Sequence, residues 1–287
     1  MARGPRHRGR WLQPLSPVRR EAGRALGGIV FGLGLVLLAP ALAAAACLPI
    51  AWRHEPLLHR AANQGRHDVA PGTVALTFLG HASFLIETPA GATAVTDYNG
   101  SITPPFVPDL VTMNNAHPNH YTDAPDPRIK YVLRGWDLGG GMAVHRVEYR
   151  DLRVRNVPTN VRDEGGTRFN GNSIFVFEVS NLCIAHLGHL HHTLTDAHLG
   201  ELGQIDVLLV PVDGAFTMSQ VDMVEVIREI APPLIIPMHF FNETTLARFL
   251  DRMRATHLVK VSETLTALLS RAALPSGRPE VLVLPGS

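Results

Sequence analysis

The chain has 287 residues, of which 46% are hydrophobic and 18% charged, with a formal net charge of +1. This composition suits a globular protein of one large or two small domains with an added apolar segment. Residues 1–24 hold seven arginines and one glutamate, about +6, so the remainder carries about −5, the difference between +1 and +6. The mildly acidic remainder argues against nucleic acid as a partner.

Residues 25–52 form an uncharged run directly after the basic segment 1–24. The run exceeds the roughly 20 apolar residues that cross a bilayer. It can be a retained membrane anchor, a signal peptide cleaved near Ala41-Leu42-Ala43, or a lipoprotein signal ending at Cys47. All three interpretations predict export, because the arginines stay on the cytoplasmic side. We therefore expect an N-terminal hydrophobic helix, contact with the membrane through it, and a periplasmic or membrane-anchored domain facing the periplasm.

After a linker at 53–72, short apolar runs separated by turn residues predict a series of strands. These runs are 74–79, 82–88, 93–96, 109–113, 129–133, 144–149, 152–157, 173–179, 182–185, 206–210, 233–238, 259–262 and 281–284. Capping residues and helical periodicity predict helices at 196–202, 220–230 and 244–255. Residues 159–166 are expected to be a polar loop. Strands early in the chain and strand–helix pairs later predict one α+β domain over residues 73–287.

Histidines follow several of these predicted strands. His117 and His120 come after the fourth strand, with Pro118 favouring the first turn of a helix between them. Further histidines follow later strands or lie in a turn: His186, His189, His191, His192, His239 and His81. Since loops at strand ends build active sites and neutral imidazole is a common metal ligand, the pattern predicts a metal centre.

The sequence resembles the metallo-β-lactamase-fold hydrolases over residues 73–287. The similarity is carried by Gly80-His81, Thr96-Asp97, Asn115-Ala-His117-Pro-Asn119-His120, His186-Leu-Gly-His189 and Ile236-Pro-Met-His239. The most similar branch contains ascorbate-phosphate lactonase-like and phospholipase-D-like enzymes. The resemblance implies a four-layer αββα sandwich with one or two metal ions at an edge. It also implies hydrolysis of a lactone, phosphodiester or related ester by a metal-bound hydroxide.

The sequence departs from the family pattern at several ligand positions. The family motif H-x-H-x-D-H is replaced by Asn115, His117, Asn119 and His120, so two ligands have become amides. A further family histidine falls on Arg162, and the bridging aspartate falls on His189. We therefore expect one ion, zinc or another divalent transition metal, instead of two. The predicted ligands are His120, His189 and His239, with His117 as an additional candidate.

Catalytic roles can be suggested for three further residues. Arg162, a permanent cation, could bind an anionic group of a small-molecule substrate. Asp163 and Asp213 are candidate general bases, although Asp163 could simply pair with an arginine. The alternative to a metallohydrolase is a non-catalytic binding domain that has kept the fold but lost the dinuclear site.

Overall fold

The computed structural model describes residues 66–163 and 165–286. Within these residues the chain forms fourteen strands and three α-helices. In chain order they are β1 (Thr73–Gly80), β2 (Ser83–Glu87), β3 (Thr93–Val95), β4 (Leu110–Met113), β5 (Tyr131–Arg134), β6 (Arg146–Tyr149), β7 (Leu152–Asp163), β8 (Gly166–Val179), β9 (Leu182–His186), α1 (Asp196–Leu202), β10 (Val207–Pro211), α2 (Gln220–Ile230), β11 (Leu234–Met238), α3 (Glu243–Met253), β12 (Leu258–Val261), β13 (Thr266–Ser270) and β14 (Glu280–Val283).

The strands form two mixed sheets. The first has six strands in the order β13-β1-β2-β3-β4-β5, and the second has eight in the order β12-β14-β11-β10-β9-β8-β7-β6. Strands β3, β4 and β5 are parallel, as are β9, β10, β11 and β14. Since β1 and β3 both run antiparallel to β2, β1 also ends where β3 and β4 end. Residues that follow β1, β3 and β4 therefore meet at one edge of their sheet.

Apolar residues separate the layers. Phe84, Phe175 and Phe177 are fully buried in the core between the two sheets. A second core, which includes Met223 and Phe249, lies between the eight-stranded sheet and the helices. On the outer face of the six-stranded sheet, Val111 and Met113 pack with residues of the connecting segments. The two-sheet α/β architecture is confirmed, but among the described residues loops cover the face where the αββα prediction places a second helical layer.

Several predicted elements are confirmed with their expected ends. Helix α1 begins after Thr195, whose hydroxyl accepts from the His198 N–H, and α2 begins after Ser219, which caps it in the same way. Helix α3 begins one residue earlier than expected because Asn242 caps it.

Two predictions of local structure were wrong. The expected polar loop at 159–166 is the end of a long hairpin, since β7 continues to Asp163 and β8 begins at Gly166. Cross-strand hydrogen bonding overrides its polar composition. The expected helical turn at Pro118 is instead a simple turn, closed by the His120 N–H donating to the His117 carbonyl at 2.7 Å. Strand β13 was not predicted.

The N-terminal segments 1–24 and 25–52, and most of the linker 53–72, lie outside the described residues. Among the helices that are described, none is both long and apolar enough to cross a bilayer.

Candidate metal centre

Three histidines from separate parts of the sequence converge at one edge of the sandwich. His81 lies between β1 and β2, His120 lies in the turn after β4, and His239 follows β11. One ligand atom from each lies within 4.8 Å of the others. The His239 N–H donates to the His81 carbonyl at 2.7 Å, which joins the two sheets at this point. We call these three residues the histidine triad.

Buried carboxylates orient two of the three rings. Asp97, which follows β3, is hydrogen-bonded through Oδ2 to Nδ1 of His120, and both side chains are almost completely buried. Asp213, which follows β10, holds Nδ1 of His239 through Oδ1 at 3.1 Å. A carboxylate on Nδ1 fixes the tautomer in which Nε2 carries a free lone pair. The two rings therefore present Nε2 as a donor atom for a metal ion.

The donor atoms of the triad fit a metal ion. Nε2 of His81 and Nε2 of His120 are buried and have no hydrogen-bond partner among the described residues. A buried polar atom without a partner costs about 1–3 kcal/mol, so two of them facing one point call for a ligand. Three imidazoles suit zinc and related transition metals and leave a position open.

The ionisation states favour metal binding at neutral pH. Burial, with repulsion from His239 and His120, lowers the pKa of His81 to about 4, so its ring is neutral. Burial opposes ionisation of Asp97, but the charge and hydrogen bond of His120 hold its pKa below the ordinary value. The pKa of Asp213 is also lowered, because hydrogen bonds from His239 and Thr217 outweigh its burial. The site thus combines neutral imidazoles with ionised carboxylates behind them.

The backbone is strained at this site. His81, Asp97 and His239 have φ angles of 53°, 51° and 52°, the left-handed region that residues with a Cβ seldom adopt. Each such conformation costs roughly 1–2 kcal/mol. Three of them around one cluster indicate that the fold holds these side chains in place against a local preference.

A second group of residues, here called the amide side, borders the triad and consists of Asn115, His117, Asn119 and His189. The His189 ring lies 4.7 Å from that of His120 and 5.3 Å from that of His239, centroid to centroid. Its Nδ1 is 2.6 Å from Nε2 of His191, an imidazole in place of a carboxylate. Burial, then repulsion from His120 and His239, lowers the pKa of His189 to about 2.

The other members of the amide side are positioned less suitably for a metal. His117 is exposed and stacks on His189 with their ring centroids 5.9 Å apart. The Asn119 side chain is exposed. Asn115 is buried, and its Oδ1 accepts a hydrogen bond of 2.9 Å from Nη2 of Arg168. Of the four predicted ligands, the structure therefore places His120 and His239 in the triad and His189 and His117 beside it.

The predicted catalytic residues are not grouped around the triad in the same way. Arg162 lies near the end of β7 and donates from Nη2 to the Thr217 carbonyl at 3.2 Å. The backbone of Asp163 ends β7, but its side chain is not among those described.

Asp213 is fully engaged as a hydrogen-bond acceptor. Besides holding His239, it accepts from the backbone N–H groups of Ala215, Phe216 and Thr217 and from the Thr217 hydroxyl. This bonding, with its lowered pKa, makes Asp213 a positioning residue for His239 and leaves it poorly suited to act as the predicted general base.

Two members of the site were not predicted as such. His81 was noted as a histidine in a turn but not chosen as a ligand, and Asp97 was noted at a strand end and in the Thr96-Asp97 motif but given no role. The sequence signal was present in both cases, since His81 lies in the turn between two strands and Asp97 lies two residues after the end of β3. His186 has a structural role instead, because its Nε2 holds the Ala82 carbonyl at 2.7 Å next to His81.

Two packed mixed sheets with a histidine cluster at one edge define a metal-binding protein of the metallo-β-lactamase type. The family model described as a beta-lactamase superfamily domain matches residues 75–239, more than half of the chain. The chain therefore belongs to the metallo-β-lactamase-fold hydrolase superfamily, as its motifs predict.

Relatives that the match covers almost completely support this assignment. A UPF0173 metal-dependent hydrolase from Methanoculleus marisnigri is 28% identical over 214 residues, covering 68% of this chain and 93% of the relative. Another from Opitutus terrae is 28% identical over 217 residues, covering 65% and 95%. The crystal structure of a candidate Zn-dependent hydrolase of the metallo-β-lactamase superfamily from Thermotoga maritima is 27% identical. It covers 74% of this chain and 98% of its own, with a TM-score of 0.54. These matches confirm the predicted superfamily and the prediction of a metal-dependent hydrolase.

Proposed function

We propose that this protein is a hydrolase that uses one divalent metal ion held by His81, His120 and His239. The observation that carries the proposal is the convergence of these three rings on one point, two of them oriented by the buried carboxylates Asp97 and Asp213. Carboxylate–histidine pairs of this kind orient metal ligands in proteins. This ligand set replaces His189 and His117 of the sequence prediction by His81, and zinc is the first metal to test.

When bound, the ion would act as a Lewis acid that activates water for attack on an ester, lactone or phosphodiester. Asp97 and Asp213 keep two ligand rings fixed, and their negative charges partly offset the charge of the ion. Phe216 and Phe241 are exposed beside the triad, with their ring centroids 5.4 Å apart, and Phe241 contacts both His81 and His239. This aromatic pair offers an apolar surface to a substrate.

The proposal is tested first by metal content. Purified protein should contain about one equivalent of zinc, iron or manganese per chain, and chelation should lower its unfolding temperature. Metal-loaded protein should then hydrolyse at least one member of a panel of esters, lactones and phosphodiesters. If no metal binds, the proposal fails; if metal binds but nothing in the panel is hydrolysed, the non-catalytic binding domain becomes the better description.

We also propose that the domain is exported and that residues 1–52 direct the export. The support is the arginine-rich segment followed by an uncharged run of membrane-spanning length. N-terminal sequencing of the mature protein from a periplasmic and a membrane fraction tests this. A soluble periplasmic form beginning after residue 43 would indicate cleavage, an intact membrane-bound form would indicate an anchor, and an intact cytoplasmic form would contradict export.

A further inference from the structure

A guanidinium group lies on the amide side of the metal centre. Arg168, near the start of β8, donates from Nη2 to Oδ1 of Asn115 at 2.9 Å. Asn115 lies near the start of the loop that carries His117 and His120. The amide oxygen that could have faced a second metal ion is therefore bonded to a cation belonging to the protein itself.

The backbone leaves space for this guanidinium at Gly171. A Cβ added to Gly171 would lie 2.6 Å from Nε and 3.3 Å from Cζ of Arg168, and 2.7 Å from Cγ2 of Val161. Contacts this short are not found for real side chains. Glycine at this position is therefore what allows Arg168 to lie flat along the hairpin and reach Asn115.

The pairing of the hairpin separates its two arginines. Arg168 pairs with Val161, whereas Arg162 pairs with Thr167. Since directly paired residues point to the same face and neighbours in a strand alternate, Arg162 and Arg168 lie on opposite faces. Arg168 reaches the Asn115 loop, while Arg162 reaches Thr217. Arg168 is therefore better placed than Arg162 for the predicted role of binding an anion beside the metal.

Among the described side chains of residues 159–171, the charged ones are Arg162 and Arg168. Neither guanidinium forms an ion pair with any carboxylate whose side chain the structure describes. A guanidinium with no carboxylate partner among the described side chains favours an anion placed beside it.

We propose that Arg168, held by Asn115 and the space at Gly171, binds an oxyanion group of the substrate next to the metal ion. The substrate class is then an ester, lactone or phosphodiester that carries a phosphate or carboxylate. A planar guanidinium recognises either group through paired hydrogen bonds. That the bound anion belongs to a substrate rests on the proposed function. The binding of an anion by Arg168 does not depend on the metal ion.

The test uses inorganic phosphate as the probe and isothermal titration calorimetry as the measurement, on the full chain in metal-free and zinc-loaded form. Arg168→Gln should weaken phosphate binding about tenfold or more in both forms, since a hydrogen bond to a charged group is lost. Arg146→Gln, an exposed arginine on β6, is the matched control and should change nothing. Equal affinity of Arg168→Gln and the unaltered protein, or no binding by the unaltered protein, overturns the proposal.

A second pair of variants moves the guanidinium without removing its charge. Gly171→Ala should weaken phosphate binding because its Cβ displaces Arg168, whereas Gly200→Ala, which meets nothing within 4 Å, should not. Circular dichroism confirms that each variant is folded. If Arg162→Gln, and not Arg168→Gln, abolishes binding, the assignment to Arg168 is wrong.

Metal content separates this inference from the proposed function. Phosphate binding that depends on Arg168 in a protein without affinity for metal would end the proposed function and leave the anion site intact. One metal ion per chain, together with phosphate binding that does not depend on Arg168, would leave the proposed function intact and overturn the anion site. Two metal ions per chain would overturn the inference, because the Asn115 amide would then be needed as a ligand.

Discussion

His120 and His189 are neighbours in space, with ring centroids 4.7 Å apart, yet their surroundings differ. Nδ1 of His120 meets the buried carboxylate of Asp97, whereas Nδ1 of His189 meets another imidazole, that of His191. A carboxylate raises the basicity of a ligand ring and compensates the charge of a bound cation; a neutral imidazole compensates no charge. The triad is therefore built to hold a cation, and the amide side, with Arg168 bonded to Asn115, is built to hold an anion.

The largest effect on metal binding is expected when a ligand ring that is hydrogen-bonded to a carboxylate is removed. His120→Ala and His239→Ala should each reduce bound zinc from about one equivalent to nearly none after dialysis, because two imidazoles do not make a stable site. Elemental analysis of the dialysed protein measures this. His198→Ala, which alters a histidine on α1 outside the cluster, should keep its zinc.

The ligand set predicted from the sequence and the triad found in the structure both contain His120 and His239. A second pair of variants is therefore needed to distinguish the two sets. His81→Ala should lower zinc affinity by about 100-fold or more, whereas His189→Ala should change it less than about tenfold. Competition with a chromophoric chelator gives both affinities. Loss of zinc from His189→Ala with retention by His81→Ala would reject the triad in favour of the ligands predicted from the sequence.

Weakening a carboxylate partner should have an intermediate effect. Asp97→Asn keeps the size of the side chain but removes its charge, so zinc affinity should fall about 10–100-fold while the protein still binds metal. Asp251→Asn, an exposed aspartate on α3, is the matched control. Unchanged affinity in Asp97→Asn would show that the carboxylate does not support His120.

The pH dependence of the metal-free protein tests the protonation states of the same rings. The pKa values of His81 and His191 are lowered to about 4 and that of His189 to about 2, all below the ordinary value near 6.5. At a pH between the ordinary pKa and the lowered pKa of each ring, the unfolded chain binds a proton that the folded chain does not. The free energy of unfolding should therefore fall as pH decreases from about 6.5 to 4, by up to about 1.4 kcal/mol per pH unit for His189.

Urea denaturation of chelator-treated protein at pH 7.5, 6.0, 5.0 and 4.5 checks this direction. The stability should be nearly constant above about pH 7 with respect to these histidines and should decline below it. His189→Gln should decline less steeply. A stability that rises on acidification would mean that the folded protein holds these rings protonated.

The sequence predicted the sheets and helices well because their signals are local. Alternating apolar residues mark the strands, and Thr195 and Ser219 mark helix starts within three residues of the bonds they accept. The hairpin at 159–166 was missed because its strands are held by cross-strand hydrogen bonds despite a polar composition. Strand β13 was missed because its identity depends on pairing with β1, nearly 200 residues earlier.

The metal centre was predicted only in part for a similar reason. His120 and His239 could be found because each follows a strand and matches a family motif. His81 also lies in one of the family motifs, but its role as a ligand depends on the contact with His239, 158 positions away. The bonds of Asp213 to His239 and of Arg168 to Asn115 likewise join distant segments of the chain. Long-range contacts of this kind decide whether a polar residue becomes a ligand, its support or a substrate contact.

The carboxylate of Asp213 has a further consequence for how this protein can diverge. It holds the metal ligand His239 and, through backbone N–H groups, the loop that displays Phe216. A change of that loop that improves contact with a new substrate would shift Asp213 and so reduce metal affinity. Adaptation to other substrates is therefore expected to proceed through side chains outside this loop. Constancy of Asp213 and Phe216 among closely related natural variants would be the evolutionary record of this constraint.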